Sequence, residues 1–194
     1  RDEALAEVTR MFASKTYRKK MNQLQKRFSR PDTIQAGPEA GECSRGFGSA
    51  LILKRYAQVC RIAATIDDST EDEIVHQLRI SCKKLRYLME FLTPLFPSAE
   101  MKGLIKRLKK LQDNLGKFND FSVQQNFLRQ IVLDDLQHFN KHELEVTEAI
   151  GALTAMLFRL QQKERAQVMK NFAKFNSEET KAMFTALFQK EEGA

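Results

Sequence analysis

Apolar residues recur at steps of three and four along almost the whole chain. No stretch keeps the strict alternation with β-branched enrichment that marks a strand. The pattern predicts an all-α protein of about six or seven helices. Tyr17, Met21, Leu24 and Phe28 form one stripe of a first helix over residues 2–29, which Arg30-Pro31 ends and a break near Ala13-Ser14 divides. Residues 31–48, PDTIQAGPEAGECSRGFG, concentrate proline, glycine and small polar residues and predict a long loop. A helix is expected over residues 49–66. Thr70 with Glu73 then has the spacing of a capping box, opening a helix that runs to Thr93, just before Pro94. Further helices are expected over residues 98–115, 120–135, 138–175 and 177–188. Gly116 is read as a stop after Leu115, and Asn119-Asp120 as the N-cap of the next helix. Short connections favour antiparallel neighbours, and so a helical bundle.

The helix opened by Thr70 has two unlike sides. Ile74, Leu78, Leu85, Leu88, Met89 and Leu92 cluster on one, while His76, Arg79, Lys83, Arg86, Tyr87 and Glu90 share an arc of about 100° on the other. From His76 to Arg86 the rise is about 15 Å, longer than one phosphate needs and suited to a run of them. Like charges at these spacings cost roughly 0.2–0.5 kcal/mol per pair unless acids or an anion neutralise them. Glu90, one turn past Arg86, does so in part. Guanidinium forks suit phosphate oxygens in a way that a solubilising face does not require. Neighbouring segments repeat the arrangement. Lys102, Lys106 and Lys109 lie opposite Leu104, Ile105, Leu108, Leu111 and Leu115; Lys15, Lys19, Lys26 and Arg30 lie opposite the first stripe; Lys54 and Arg61 share a face with Gln58. Converging faces of this kind would make a cationic groove that concentrates polyanions.

Composition sharpens this picture. Lys and Arg number 32 against 25 Asp and Glu in 194 residues, a net charge of +7 that suits a polyanionic partner. Cys43, Cys60 and Cys82 lack ligand spacing and suit free thiols in a reducing cytoplasm better than a disulfide framework or a zinc site. His138 and His142 stand at i, i+4 with Glu145 one turn on, a spacing that can hold a metal. On a polar helix two exposed histidines are the commoner case, and no metal is assigned. No Gly-rich phosphate loop, HExxH or GxSxG motif occurs, so no enzyme activity and no cofactor are expected. No run approaches the roughly 20 apolar residues of a membrane span, and no signal peptide is visible, so a cytoplasmic protein is expected. The chain opens at Arg1 inside a helical pattern, which suggests an upstream portion.

Two motifs carry a resemblance. VHQLRISCKKLRYLMEFL followed by LIKRLKKLQDNLGKFNDFSV resembles the second histidine-bearing half of a CHAD domain. That all-helical family shows His-x-Leu-Arg, then Lys-x-Leu-Arg-Tyr, then Leu-Gln-x-x-Leu-Gly-x-x-Asn-Asp. His76, Leu78, Arg79, Lys83, Leu85, Arg86 and Tyr87 fill the first part; Leu111, Gln112, Leu115, Gly116, Asn119 and Asp120 fill the second. The likeness is good over residues 50–130 and looser elsewhere. It implies two similar helical units around a central basic groove, and a module that binds inorganic polyphosphate, with localisation to polyphosphate granules. Relatives often adjoin triphosphate tunnel metalloenzyme domains, whose β-barrel pattern is not seen here. The first His-x-x-Arg helix of the family is also missing, so the first unit, residues 1–48, is read as incomplete beside a second at 49–194. The groove candidates are His76, Arg79, Lys83 and Arg86, with Lys106, Lys109, Lys15, Lys19, Lys54 and Arg61 from the other basic faces and Tyr87 at the edge. The rival readings are an RNA- or DNA-binding module, which the scarcity of aromatics on the basic stripes disfavours, and a scaffold for an acidic protein.

Overall fold

In the computed structural model residues 2–30, 34–67, 69–135 and 141–189 are described. The amphipathic periodicity is realised as seven α-helices among these residues: α1 (Asp2–Ala13), α2 (Lys15–Phe28), α3 (Ser44–Ala63), α4 (Asp72–Leu92), α5 (Ser98–Asp135), α6 (Lys141–Phe175) and α7 (Glu178–Phe188). A single 3-10 turn, Thr93–Leu95, follows α4. The all-α expectation is met. The chain divides into two compact units, Arg1–Glu42 and Cys43–Ala194.

The first unit is a helical pair. Its helices separate where the break near Ala13-Ser14 was expected, because Ser14 leaves helical geometry and its hydroxyl accepts from the Tyr17 amide at 3.1 Å, capping α2. Phe12 and Tyr17 meet edge to face across the break, with ring centroids 4.9 Å apart. No residue of α1 or α2 is buried, and the stripe containing Met21, Leu24 and Phe28 stays open to solvent.

The second unit owns a continuous core. The longest helix, α5, packs against α4, α6 and α7, while α3 packs against α4 and α7. Ile52 and Val59 of α3, Leu78 and Leu85 of α4, Leu104, Leu108 and Phe118 of α5, Val168 of α6 and Phe184 of α7 are all buried. Tyr56 stacks on Phe184 at 3.9 Å and 6°, and its hydroxyl donates to Asn176 Oδ1. Burial pushes the Cys82 thiol up to about 12, which keeps it protonated and unreactive. Cys82 is buried, Cys60 half-buried with its thiol 3.7 Å from Asn176 Oδ1, and Cys43 exposed.

Three element boundaries and the make-up of one stripe differ from the sequence expectation, each for an identifiable reason. The segment read as loop up to residue 48 turns helical at Ser44, because Gly48 serves a close helix approach. A Cβ there would meet Leu92 Cδ1 at 3.1 Å. The Thr70–Glu73 capping box does not form. The Thr70 hydroxyl accepts from the Asp67 amide inside the preceding turn, and α4 starts at Asp72 after Glu71. The stripe of α4 is centred on Val75 and Cys82 as well as Leu78, Leu85 and Met89, leaving Ile74 half-buried.

The largest difference is that α5 runs unbroken through Gly116, Asn119 and Asp120. A mid-helix glycine costs only about 1 kcal/mol relative to alanine. Burial of Leu115 and Phe118 on either side of it outweighs that. Asn119 is no cap; its side chain is used elsewhere. A Cβ on Gly116 would meet nothing within 4 Å. Gly116→Ala is therefore expected to raise the unfolding free energy by about 0.5–1 kcal/mol, read from a urea titration. A loss instead would mean that the position is sterically closed.

Candidate polyanion-binding edge

α4 brings its basic residues to one edge because its opposite side is committed to the core, with Val75, Leu78, Cys82, Leu85 and Met89 fully buried. His76, Arg79, Lys83 and Arg86 are all half-buried along that edge, while Tyr87 is 51 % exposed at its margin. The edge is joined to α5 by one bond that links the two sequence motifs: His76 Nδ1 and Asn119 Oδ1 lie 2.7 Å apart.

That bond sets the register. The two helices are antiparallel across the short turn after Leu92. Equal rise per residue therefore puts Arg79 level with Gly116, Lys83 level with Gln112 and Arg86 level with Lys109. On the α5 wheel Lys109 lies about 80° from Asn119, but Lys106 lies about 140° away and faces outward. The fold thus associates His76, Arg79, Lys83, Arg86 and Lys109 along one seam and sets Lys106 apart.

Lys54 and Arg61 are exposed on the side of α3 opposite its buried line of Ile52, Val59 and Ala63. Their shared face points away from the core, and the intervening Gln58 accepts from Arg55 at 3.0 Å. In the first unit, Lys15 and Lys19 line a shallow open depression on α2 with Arg18, Asn22, Gln23 and Lys26, opposite the apolar stripe. Arg18, Asn22 and Gln23 are additions that helical spacing from Lys15 and Lys19 could have supplied. His138 and the side chain of His142 lie outside the described residues. Among the described residues no cluster of three or more His, Cys, Asp or Glu could hold a metal. No helix of the described residues is long and apolar enough to cross a membrane.

The electrostatics of the seam are uneven. Arg86 Nη1 donates to Glu90 Oε1 at 2.8 Å, and its Cζ lies 4.5 Å from the centre of the Tyr87 ring. The Lys83 ammonium stands 6.0 Å from the same ring. Neither Arg79 nor Lys83 takes part in the ion pairs formed among the described residues. Among the described residues Arg86 Nε and Gln112 Nε2 are buried donors without a hydrogen-bond partner. A donor left so costs about 1–3 kcal/mol. At Arg79 and Lys83 the seam therefore carries cationic charge that no ion pair among the described residues compensates, which is the chemistry that anionic oxygens satisfy.

Residues of α6 hold this seam in place. Arg165 clasps the start of α4, donating to Asp72 Oδ1 and to the Thr70 carbonyl. Gln161 Nε2 donates to Asp72 Oδ2 at 2.8 Å and its Oε1 accepts from Gln125 Nε2 at 2.8 Å, joining α4, α5 and α6. Asn114 Nδ2 donates to the Glu164 carbonyl at 2.9 Å and to Glu164 Oε2 at 2.7 Å. Sequence reasoning missed this clasp, since an acid in a first helical turn is explained by the helix dipole alone.

Comparison with known proteins is consistent with the two motifs. No curated protein matches the chain. The family model described as the CHAD domain matches residues 1–129, which takes in α1 to α4, most of α5 and the whole His76-to-Asn119 seam. The match covers more than half of the 194 residues, and the chain belongs to the CHAD domain family.

Proposed function

We propose that the chain binds inorganic polyphosphate, without turnover, along the α4–α5 seam. The observation that carries this reading is the alignment of His76, Arg79, Lys83 and Arg86 over about 15 Å, with Arg79 and Lys83 outside the ion pairs formed among the described residues. Linear polyphosphate repeats its anionic oxygens along its length and presents no bases. It is matched by charge-assisted hydrogen bonds at successive helical turns. The family assignment supports the same reading. Binding alone is the proposed activity.

A second reading has one observation in its favour. Tyr87 is 51 % and Phe91 81 % exposed on the same helix, beside the cations, and exposed aromatics next to basic residues can stack bases of single-stranded nucleic acid. Titrating the protein with long-chain polyphosphate and with single-stranded RNA of equal charge, at two salt concentrations, separates the two. Tighter binding of polyphosphate at both salts is expected. Equal affinity for the two polymers, lost in parallel with salt, would reduce the seam to general electrostatics, and preference for RNA would favour the stacking reading.

Glu90 competes with the ligand for Arg86. Glu90→Gln releases the guanidinium and removes a negative charge from the seam. It is expected to tighten polyphosphate binding severalfold in the same titration. Weaker binding by that variant would mean that Glu90 orients Arg86 rather than masking it.

A further inference from the structure

The contact between His76 and Asn119 has a consequence for how the seam meets an anion. With Asn119 Oδ1 2.7 Å from His76 Nδ1, and an amide oxygen able only to accept, this arrangement has Nδ1 as the protonated nitrogen. A neutral imidazole has one N–H. With it spent on Asn119, Nε2 carries a lone pair, which a phosphate oxygen repels. Only the imidazolium offers donors at both nitrogens. From this geometry we infer that Asn119 is a positioning residue for the seam, and that anion binding beside His76 takes up a proton from solvent at Nε2. This rests on the polyphosphate reading above and adds a proton as co-ligand. The added N–H at Nε2 donates to a phosphate oxygen while Nδ1–H keeps its bond to Asn119.

The charged surroundings of the ring fit a proton that arrives with the ligand. On α4, Asp72 lies one turn before His76 but is held by Arg165 and Gln161 of α6, and Glu73 beside it is exposed. Arg79 and Lys83 follow along the seam. On α5, the partner of the ring is the uncharged Asn119, while Asp120 and Lys117 beside it are exposed. On α3 the nearest charge in sequence to its C-terminal end is Arg61, exposed on the outer face. The Asp67 carboxylate of the turn that follows accepts from Ser69 and Thr70. Among the described residues no carboxylate is bonded to His76, so the incoming anion supplies both the acceptor and the negative charge that Nε2 requires.

The test is calorimetric titration of the whole protein with long-chain polyphosphate, whose chain ends are few, in two buffers of equal pH and different ionisation enthalpy. The wild type is expected to take up a substantial fraction of a proton per seam occupied, and to bind several-fold more tightly near about pH 6 than near about pH 8. His76→Gln is expected to lose both the proton uptake and the pH dependence. Asn119→Asp, which places a carboxylate against Nδ1–H and holds the ring charged beforehand, is expected to bind with a flattened pH profile and little uptake. A purely structural role for Asn119 would lower affinity in that variant without moving the proton count. Binding with no proton uptake in the wild type would overturn the inference and leave the polyphosphate reading standing. It would mean that the Asn119 amide presents its NH2 group to the ring and Nε2–H already donates. Uptake that persists in His76→Gln would overturn it too. Absence of binding would overturn both.

Discussion

Phe184→Ala is expected to lower the unfolding free energy of the Cys43–Ala194 unit by about 3–5 kcal/mol, seen as a lower urea midpoint with an unchanged slope. Phe184 is 2 % exposed and stands at the centre of an aromatic cluster. It stacks on Tyr56, meets Phe175 edge to face at 6.4 Å and lies 5.6 Å from Phe188. Truncation removes the transfer free energy of the ring and leaves a cavity whose walls come from α3, α6 and α7, so no single side chain can fill it. It also loosens Tyr56, whose hydroxyl is bonded to Asn176, where burial pushes the phenol well above its usual range. A loss below about 1 kcal/mol would show that α7 is not part of the cooperative unit.

The second large effect concerns binding. Replacing Arg79 and Lys83 together with alanine is expected to weaken polyphosphate binding by about a hundredfold or more. Charged hydrogen bonds contribute roughly 1.5–3 kcal/mol each, and every 1.4 kcal/mol is tenfold. Helicity should not change, since neither side chain belongs to an ion pair among the described residues and both lie off the core. Arg86→Ala alone should cost less than Arg79→Ala, because Arg86 must first release Glu90. Circular dichroism beside the titration separates a lost contact from a lost fold. Unchanged affinity in the double variant would remove the seam from consideration.

The helices were legible because periodicity reports burial directly, and the stripe of Leu78, Leu85 and Met89 could belong only to a buried face. Breaks were legible where chemistry is local, as at Ser14, whose side chain caps its own helix. They were misread where the deciding partner lies outside the helix concerned. Gly48 is explained by Leu92, the Thr70 hydroxyl by Asp67, and Asn119 by His76 rather than by its own backbone. The candidate site shows the same division. A wheel shows which cations share a face of one helix but not which way that face points. That the cations of α4 share one face was legible, whereas Lys54 and Arg61 could be seen to face outward only once Ile52, Val59 and Ala63 were known to be buried.

The clasp of Arg165 and Gln161 on Asp72 separates two kinds of boundary. The family match ends at residue 129, yet the side chains that anchor the first turn of α4 come from α6, and the rings that close the core come from α6 and α7. Likeness of sequence and self-sufficiency of folding therefore end at different places in this chain. A fragment cut where the likeness stops would keep every letter of both motifs and lose the scaffold that aligns them. The buried positions that support the basic residues extend to Phe188, through helices that the family match does not reach.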